Sequence, residues 1–127
     1  MSYKILIVDD SKLARMSVAK VLNVLHPGWS RVEASNADEA VAMVKAENPD
    51  IVLLDFNMPG RDGLALAAHL KTLNPGMPVA IISANIQDEI VARSHELGAA
   101  FLAKPLTEQA LAGFLTGAQA RLSAPAH

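Results

Sequence analysis

Short runs of aliphatic residues alternate along this chain with longer segments in which apolar residues recur at helical spacing. The run at 5–8 (Ile-Leu-Ile-Val) contains no polar position, which is typical of a strand buried on both faces. The pattern predicts strands at 5–8, 31–34, 51–54, 79–82 and 99–103. It predicts helices at 11–25, from 36 to about 47, at 63–73 and 86–97, and from 107 to about 122.

Start and stop signals flank several of these helices. Asn36 followed by Glu39 is typical of an N-cap and its reciprocal partner, and Thr107 can cap the last helix. Gly98 falls where a left-handed residue commonly ends a helix. The residues at 58–60 (Met-Pro-Gly) break the chain before the third helix.

The first helix carries its apolar residues at intervals of three to five positions. Leu13, Met16, Val21 and Leu25 have this spacing, which indicates one apolar face on a helix. We therefore expect these four residues to form the face of the first helix that packs on the sheet.

Alternating strands and helices predict an α/β fold, in which right-handed crossovers build a parallel sheet covered by helices on both faces. All five strands then end at the same edge of the sheet, where ligands bind in open sheets of this kind. No repeat or linker divides the chain. We expect one domain over residues 1–127, with a core at about 3–122 and a frayed end at 123–127.

Composition and charge exclude several function classes. The chain of 127 residues has no cysteine, which excludes disulfides, thiolate catalysis and zinc–thiolate or iron–sulfur sites. A net charge of −2 with scattered Lys and Arg gives little support to direct binding of nucleic acid. No apolar run approaches the roughly 18 residues that span a bilayer, and the start of the chain does not resemble a signal peptide. We expect a cytoplasmic protein with no membrane contact.

Polar residues that carry chemistry follow four of the five predicted strands. Strand one is followed by two acids, strand three by one acid, strand four by a hydroxyl and strand five by an ammonium group; the residues are Asp9, Asp10, Asp55, Ser83 and Lys104. Taken singly, an acid after a strand is commonly a helix cap, and a lone lysine is usually solvated. Because parallel strands end at one edge, we expect all five side chains to converge.

Three neighbouring carboxylates require either a raised pKa or a cation. Two like charges about 4 Å apart repel by roughly 4 kcal/mol at an effective dielectric near 20. Oxygen ligands without His or Cys favour Mg²⁺, which leaves room for a phosphate oxygen. Lys104 and Ser83 can then hold the oxygens of a transferring phosphoryl group. Asp55, on the central strand, is the best candidate for the carboxylate that attacks phosphorus.

Four motifs at the strand ends together resemble the receiver domain of response regulators, of the stand-alone chemotaxis-regulator type. The resemblance covers about residues 3–122, and its motifs are Val8-Asp9-Asp10-Ser11, Leu54-Asp55-Phe56-Asn57-Met58-Pro59-Gly60, Ile82-Ser83-Ala84 and Phe101-Leu102-Ala103-Lys104-Pro105. The resemblance implies a flavodoxin-like sheet of strand order 2-1-3-4-5. It also implies a two-component signalling role.

The resemblance further implies the chemistry of the site. Asp55 would be phosphorylated by a histidine kinase, directly or through a histidine phosphotransfer protein. Mg²⁺ would be bound by Asp10, Asp55 and the backbone carbonyl of Asn57, and Asp9 would assist through water. Such a chain is a phosphoacceptor switch and not an enzyme, since it catalyses only its own phosphorylation and dephosphorylation.

The same resemblance implies how phosphorylation would change the conformation of the protein. Ser83 and Lys104 would hold the phosphoryl oxygens, and the Lys104-Pro105 peptide would be cis. As Ser83 moves toward the phosphoryl group, Phe101 would rotate as the switch aromatic. The fourth helix, fifth strand and fifth helix would then dock an output protein that the sequence does not identify.

Two other functions stay open on the sequence alone. A Mg²⁺-dependent phosphohydrolase also forms an aspartyl phosphate, but it would have a second aspartate two residues after the nucleophile on strand one, and a cap over the substrate. A nucleotide- or flavin-binding module on the same scaffold would have a Gly-rich phosphate loop. Steady release of phosphate from small esters favours the hydrolase, whereas one covalent phosphate per chain favours the switch.

Overall fold

Five strands alternate with five helices in the structure, a computed structural model that describes residues 2–58 and 62–123. The strands are β1 (Lys4–Val8), β2 (Ser30–Ala34), β3 (Ile51–Asp55), β4 (Val79–Ser83) and β5 (Ala100–Ala103). The helices are α1 (Lys12–Leu25), α2 (Ala37–Glu47), α3 (Gly63–Leu73), α4 (Asp88–Glu96) and α5 (Glu108–Ser123). The break predicted at Pro59 and Gly60, and the frayed end from residue 124 onward, lie outside the described residues.

The strands form one parallel sheet in the order β2-β1-β3-β4-β5, as predicted. Val8 pairs with Leu54, Asp55 with Ile82, and the next residue of β4 with Ala103. Because the strands are parallel and in near register, their carboxyl ends meet at one edge of the sheet.

Successive side chains of each strand point to opposite faces of the sheet and enter two separate cores. Leu6, Leu54 and Ile81 lie in the core covered by α2 and α3. Ile7 and Leu53 lie in the core covered by α1 and α5. Burying each such apolar side chain contributes about 1.5–3 kcal/mol, and the inner strands β3 and β4 are buried along their whole length.

The predicted packing face of α1 is wrong in its first half. Leu13 is 76% exposed and Met16 is 56% exposed, whereas Leu22 is buried. Val21 and Leu25 pack against the core, as expected. Apolar residues stand on both faces of this helix, so spacing alone does not determine which of them the sheet covers.

Three ring side chains pack together beside the end of α1. His26 caps the helix, its N–H donating to the carbonyl of Leu22. The His26 ring stacks on Trp29 with centroids 3.8 Å apart and planes 7° from parallel. Tyr3 meets the same indole edge-on at 5.1 Å. The three rings cover the edge of the core where β1 and β2 begin.

Two helix starts differ in detail from the prediction. α4 begins at Asp88 instead of residue 86, because the Asn85 side chain accepts a hydrogen bond from the Gln87 N–H at 3.2 Å and holds the preceding residues in a loop. At α2, the Asn36 side chain caps the helix as predicted, but Glu39 accepts from Ser35 instead of returning to Asn36.

The ends of α4 and α5 are also defined by local contacts. Gly98 has a φ of 79°, so the left-handed residue after α4 is confirmed. Thr107 accepts a hydrogen bond from the Ala110 N–H and caps α5 as predicted. Ser123 was expected in the frayed end, but it is the last residue of α5 and donates to the carbonyl of Gln119.

Candidate functional site

The three aspartates predicted to converge lie together at the carboxyl edge of the sheet. Asp55 is the last residue of β3 and is 4% exposed, and Asp9, directly after β1, is 7% exposed. Asp10 follows it and is exposed. One carboxylate oxygen from each residue lies within 4.8 Å of the others. The predicted acidic cluster is therefore present.

Lys104 provides the positive charge closest to Asp55 among the ion pairs of the described residues. Its Nζ lies 2.9 Å from Asp55 Oδ1, and its side chain is 36% exposed. Among the residues that the structure describes, the same buried oxygen has no well-aligned hydrogen-bond partner. The short distance therefore represents a charge contact with poor hydrogen-bond alignment, and Oδ1 keeps its capacity to accept another ligand.

Burial raises the pKa of Asp9 above its ordinary value of 3.8, and the charges of Asp55 and Asp10 raise it further. Two interactions oppose this rise in pKa. The Asp9 carboxylate accepts a hydrogen bond from the Ser11 N–H at 2.9 Å, and Lys104 lies near enough to lower the pKa. Burial is the largest of these effects on the pKa of Asp9, and a cation bound beside the carboxylate would oppose it.

Ser83 closes the site on the side of β4. It is fully buried, and its hydroxyl oxygen accepts a hydrogen bond from the Asn85 N–H at 3.0 Å. Its carbonyl accepts from the Lys104 N–H at 2.9 Å, so β4 and β5 are joined at the point where the lysine leaves the sheet. The following Lys104-Pro105 peptide is cis. Within the described part of the chain, the Ser83 hydroxyl accepts the hydrogen bond from the Asn85 N–H and donates none.

Phe101 and Asn57 occupy different positions relative to the carboxylates. Phe101 lies on β5, pairs in register with Ile81 and packs half-buried on the core beneath α4. Asn57 is exposed, two residues beyond the end of β3. The structure thus places Phe101 on the predicted output face and Asn57 in the loop beside the cluster.

The donor set fits Mg²⁺. Carboxylate oxygens from three residues converge, and one of them, Asp55 Oδ1, is buried and accepts no hydrogen bond from residues 2–58 or 62–123. Hard oxygen donors with an unfilled acceptor position suit an ion that binds through one or two carboxylates and keeps its remaining positions for water or phosphate.

Arg15 lies at this edge as well, although none of the four sequence motifs includes it. Its guanidinium Nη1 donates to the carbonyl of Asp9 at 2.6 Å, and its Nε lies 2.7 Å from Glu33 Oε1. The sequence does show an arginine in the first turn of the helix that follows the acid pair, and this position could have marked Arg15 as a candidate. Its direction, back toward the end of β1, depends on the angle between α1 and the sheet.

Gly63 is a second position whose role became clear only in three dimensions. It is the first residue of α3, and its N–H donates to the carbonyl of Phe56 at 3.0 Å. A Cβ on Gly63 would lie 2.7 Å from Phe56 Cα and 3.2 Å from the Asp55 carbonyl oxygen. Only a residue without a side chain lets α3 approach the end of β3 this closely.

Comparison with known proteins gives consistent results. Residues 5–116 match the family model described as response regulator receiver domain. The sporulation initiation phosphotransferase F of Bacillus subtilis is 37% identical over 106 residues, which cover 83% of this chain and 84% of that protein. The positive alginate biosynthesis regulatory protein of Pseudomonas aeruginosa is 40% identical over 111 residues, covering 85% of this chain but only 44% of the relative.

A solved structure has the same fold. The CheY-like response regulator receiver domain protein of Methanospirillum hungatei superposes with a TM-score of 0.86 at 25% sequence identity, covering 96% of this chain and 98% of that one. Among residues 2–58 and 62–123, none of the helices combines the length and apolarity needed to cross a bilayer.

Proposed function

This chain belongs to the response-regulator receiver domains, and we propose that Asp55 is its phosphoacceptor and that the donor is a phosphohistidine on a kinase or phosphotransfer protein. A receiver domain is a phosphoacceptor switch, and such domains take phosphate from these two kinds of protein. The observation that carries the assignment to Asp55 is its position: a buried carboxylate at the end of the central strand, 2.9 Å from a lysine and within 4.8 Å of two other acids.

In the proposed transfer, a carboxylate oxygen of Asp55 forms a bond to phosphorus as the bond between phosphorus and the donor's imidazole nitrogen breaks. The electron pair of the broken bond stays on that nitrogen, which then takes up a proton. The product is an acyl phosphate on Asp55 and a neutral histidine on the donor. Positioning and charge stabilisation carry most of such a reaction.

The residues around Asp55 would each hold one part of the reacting group. Lys104 would neutralise phosphoryl oxygens with its ammonium group, and the Ser83 hydroxyl would donate a hydrogen bond to one of them. Asp10 and Asp55, with the Asn57 carbonyl and with Asp9 acting through water, would hold Mg²⁺. When bound, that ion supplies positive charge to the carboxylates and the phosphoryl oxygens.

Phosphorylation would change the output face through Ser83 and Phe101. A phosphoryl group adds nearly one further negative charge and new acceptor oxygens, and Ser83 would move toward them. Phe101, two strand residues from the end of β5, would then turn inward and alter the surface of α4, β5 and α5. Shifting a population from 1:99 to 99:1 requires about 5.5 kcal/mol, which several charge-assisted hydrogen bonds can largely provide.

The phosphohydrolase alternative is not favoured. The acids after β1 are adjacent to each other, and the family model that matches residues 5–116 is that of response regulator receiver domains. The chain spans less than half the length of the Pseudomonas relative, so the output protein and the process controlled stay unidentified. The cytoplasmic location, the single-domain organisation and the absence of direct nucleic-acid or membrane contact remain predictions.

Labelling by a small acyl phosphate in the presence of Mg²⁺ tests the assignment. We expect one covalent phosphate per chain on the wild-type protein and none on Asp55→Asn, as measured by the mass of the intact chain. Asp38→Asn, which removes an exposed acid from the first turn of α2, is the matched control and should label normally. Labelling of Asp55→Asn at the wild-type level would exclude this phosphoacceptor.

A further inference from the structure

Arg15 joins three parts of the fold beside the acidic cluster. Its backbone belongs to the first turn of α1, its Nη1 donates to the Asp9 carbonyl at 2.6 Å, and its Nε contacts Glu33 of β2 at 2.7 Å. The arginine side chain is only 14% exposed, whereas that of Glu33 is 47% exposed. The guanidinium is therefore held in one orientation by a carboxylate on one side and a backbone carbonyl on the other.

The bond to the Asp9 carbonyl acts on Asp10 as well. That carbonyl belongs to the peptide unit joining Asp9 to Asp10, so fixing its oxygen fixes the direction in which the chain leaves β1. Asp9 is already held by its N–H, which donates to the Ala34 carbonyl at 3.1 Å, and by its carboxylate, which accepts from Ser11. Asp10 is exposed, and its placement depends on the orientation of this peptide unit.

We infer that Arg15 is a positioning residue that sets the Asp10 carboxylate for cation binding, with Glu33 fixing the guanidinium. The inference rests on the proposed Mg²⁺ site. Arg15 is not itself a ligand, since a guanidinium has no lone pair to offer a cation. Arg15 would act instead through the backbone of Asp9 and Asp10, just as residues outside a metal's coordination shell orient its ligands by hydrogen bonding.

Three possible roles of Arg15 predict three different effects on Mg²⁺ affinity. If its charge mattered most, replacing it by a neutral residue would remove repulsion and tighten Mg²⁺ binding. If it only stabilised the fold, the affinity of the folded protein would not change. If it positions Asp10, the neutral variant binds Mg²⁺ more weakly, in spite of the electrostatic gain.

Calorimetric titration of the unphosphorylated full chain with MgCl₂ distinguishes these roles. We expect Arg15→Met to raise the Kd for Mg²⁺ about tenfold, as is usual when an outer partner of a metal ligand is removed. Arg15→Lys keeps the charge but loses the forked geometry, and should show a smaller rise. Glu33→Gln leaves the bond to Asp9 in place and should raise the Kd by less than Arg15→Met does.

Glu47→Gln provides the matched control for removing an ion pair. Glu47 pairs with Lys4 at 3.4 Å, at the start of β1 and thus at the opposite edge of the sheet. This variant should bind Mg²⁺ with the wild-type Kd.

An Arg15→Met protein that is folded and binds Mg²⁺ as tightly as wild type, or more tightly, would overturn the inference. If that variant does not fold, Glu33→Gln provides the test. An unchanged Kd for Mg²⁺ in Glu33→Gln would contradict the inference that Glu33 acts on Asp10 through the Arg15 guanidinium. Asp10→Asn separates this inference from the site itself. If Asp10→Asn leaves Mg²⁺ binding intact, the proposed metal site is wrong; if it weakens binding while the Arg15 and Glu33 variants do not, only the positioning role fails.

Discussion

Replacing Gly63 by alanine should have two opposite effects on stability. The new methyl group clashes with the backbone of the loop after β3, and alanine favours the helix more than glycine does. Gly63 opens α3, and its added Cβ would lie 2.7 Å from Phe56 Cα, 3.2 Å from the Asp55 carbonyl oxygen and 3.3 Å from the Phe56 carbonyl oxygen. Carbon atoms normally approach to about 3.5–4.0 Å, so the closest contact is short by about 1 Å. All three atoms belong to the backbone, and none can rotate away.

The steric effect should exceed the helix propensity effect. Alanine favours a helix over glycine by about 0.5–1 kcal/mol, whereas overpacking costs about 1–3 kcal/mol, with rigid surroundings at the upper end. We therefore expect Gly63→Ala to lower the free energy of unfolding by about 1–2 kcal/mol, or the Tm by several degrees. Because the displaced atoms adjoin Asp55, labelling by an acyl phosphate should also slow.

Urea unfolding of Gly63→Ala and of two matched variants measures this balance. Gly113→Ala and Gly117→Ala add the same methyl group to α5, where nothing lies within 4 Å of the new atom. Each of these should raise the free energy of unfolding by about 0.5–1 kcal/mol. If Gly63→Ala were as stable as the wild type or more so, the close approach of α3 to the end of β3 would be refuted.

Two further predictions concern the charges of the site. Asp9→Asn keeps the acceptor for the Ser11 N–H but removes a carboxyl whose pKa is raised by burial and by the neighbouring acids. A raised pKa means that folding disfavours the ionised form, so without divalent cations the variant should gain stability over wild type as the pH rises from about 4 toward 7. An equal difference in unfolding free energy at both pH values would contradict this. Lys104→Met leaves the buried charge of Asp55 without its partner and should cost about 1–2 kcal/mol, less than for a fully buried pair because the lysine is partly exposed. In an Asp55→Asn background the same change should cost less than about 0.5 kcal/mol, and a double-mutant cycle showing equal costs in both backgrounds would disprove the coupling.

The parts of the fold that depend on local sequence could be predicted. Uniformly apolar runs identify buried strands because helices cover both faces of a parallel sheet, so that side chains on either face of a strand are buried. The residues that follow those runs then converge, since parallel strands end at one edge. Asp9, Asp55 and Lys104 lie together for that reason, without any further information on their contacts. The resemblance to receiver domains rested on the same residues, and the family match confirms it.

Features that depend on contacts between elements could not be predicted. Leu13 and Val21 are both apolar residues of α1, yet only Val21 packs on the core, because the sheet covers one side of the helix and the spacing does not identify which. Arg15 reaches the end of β1 because α1 packs against that strand. The requirement for glycine at residue 63 depends on the separation between α3 and β3. Each of these features is set by tertiary packing, on which a single sequence carries little information.

The ring stack of His26 and Trp29 has a practical consequence for all these measurements. Trp29 is the only tryptophan of the chain, and it lies where β2 begins, at the edge of the sheet opposite Asp55. Its fluorescence should follow global unfolding while staying insensitive to cations and phosphoryl groups at the other edge. The protein thus contains an intrinsic optical probe that reports its folded state separately from ligand binding at the site.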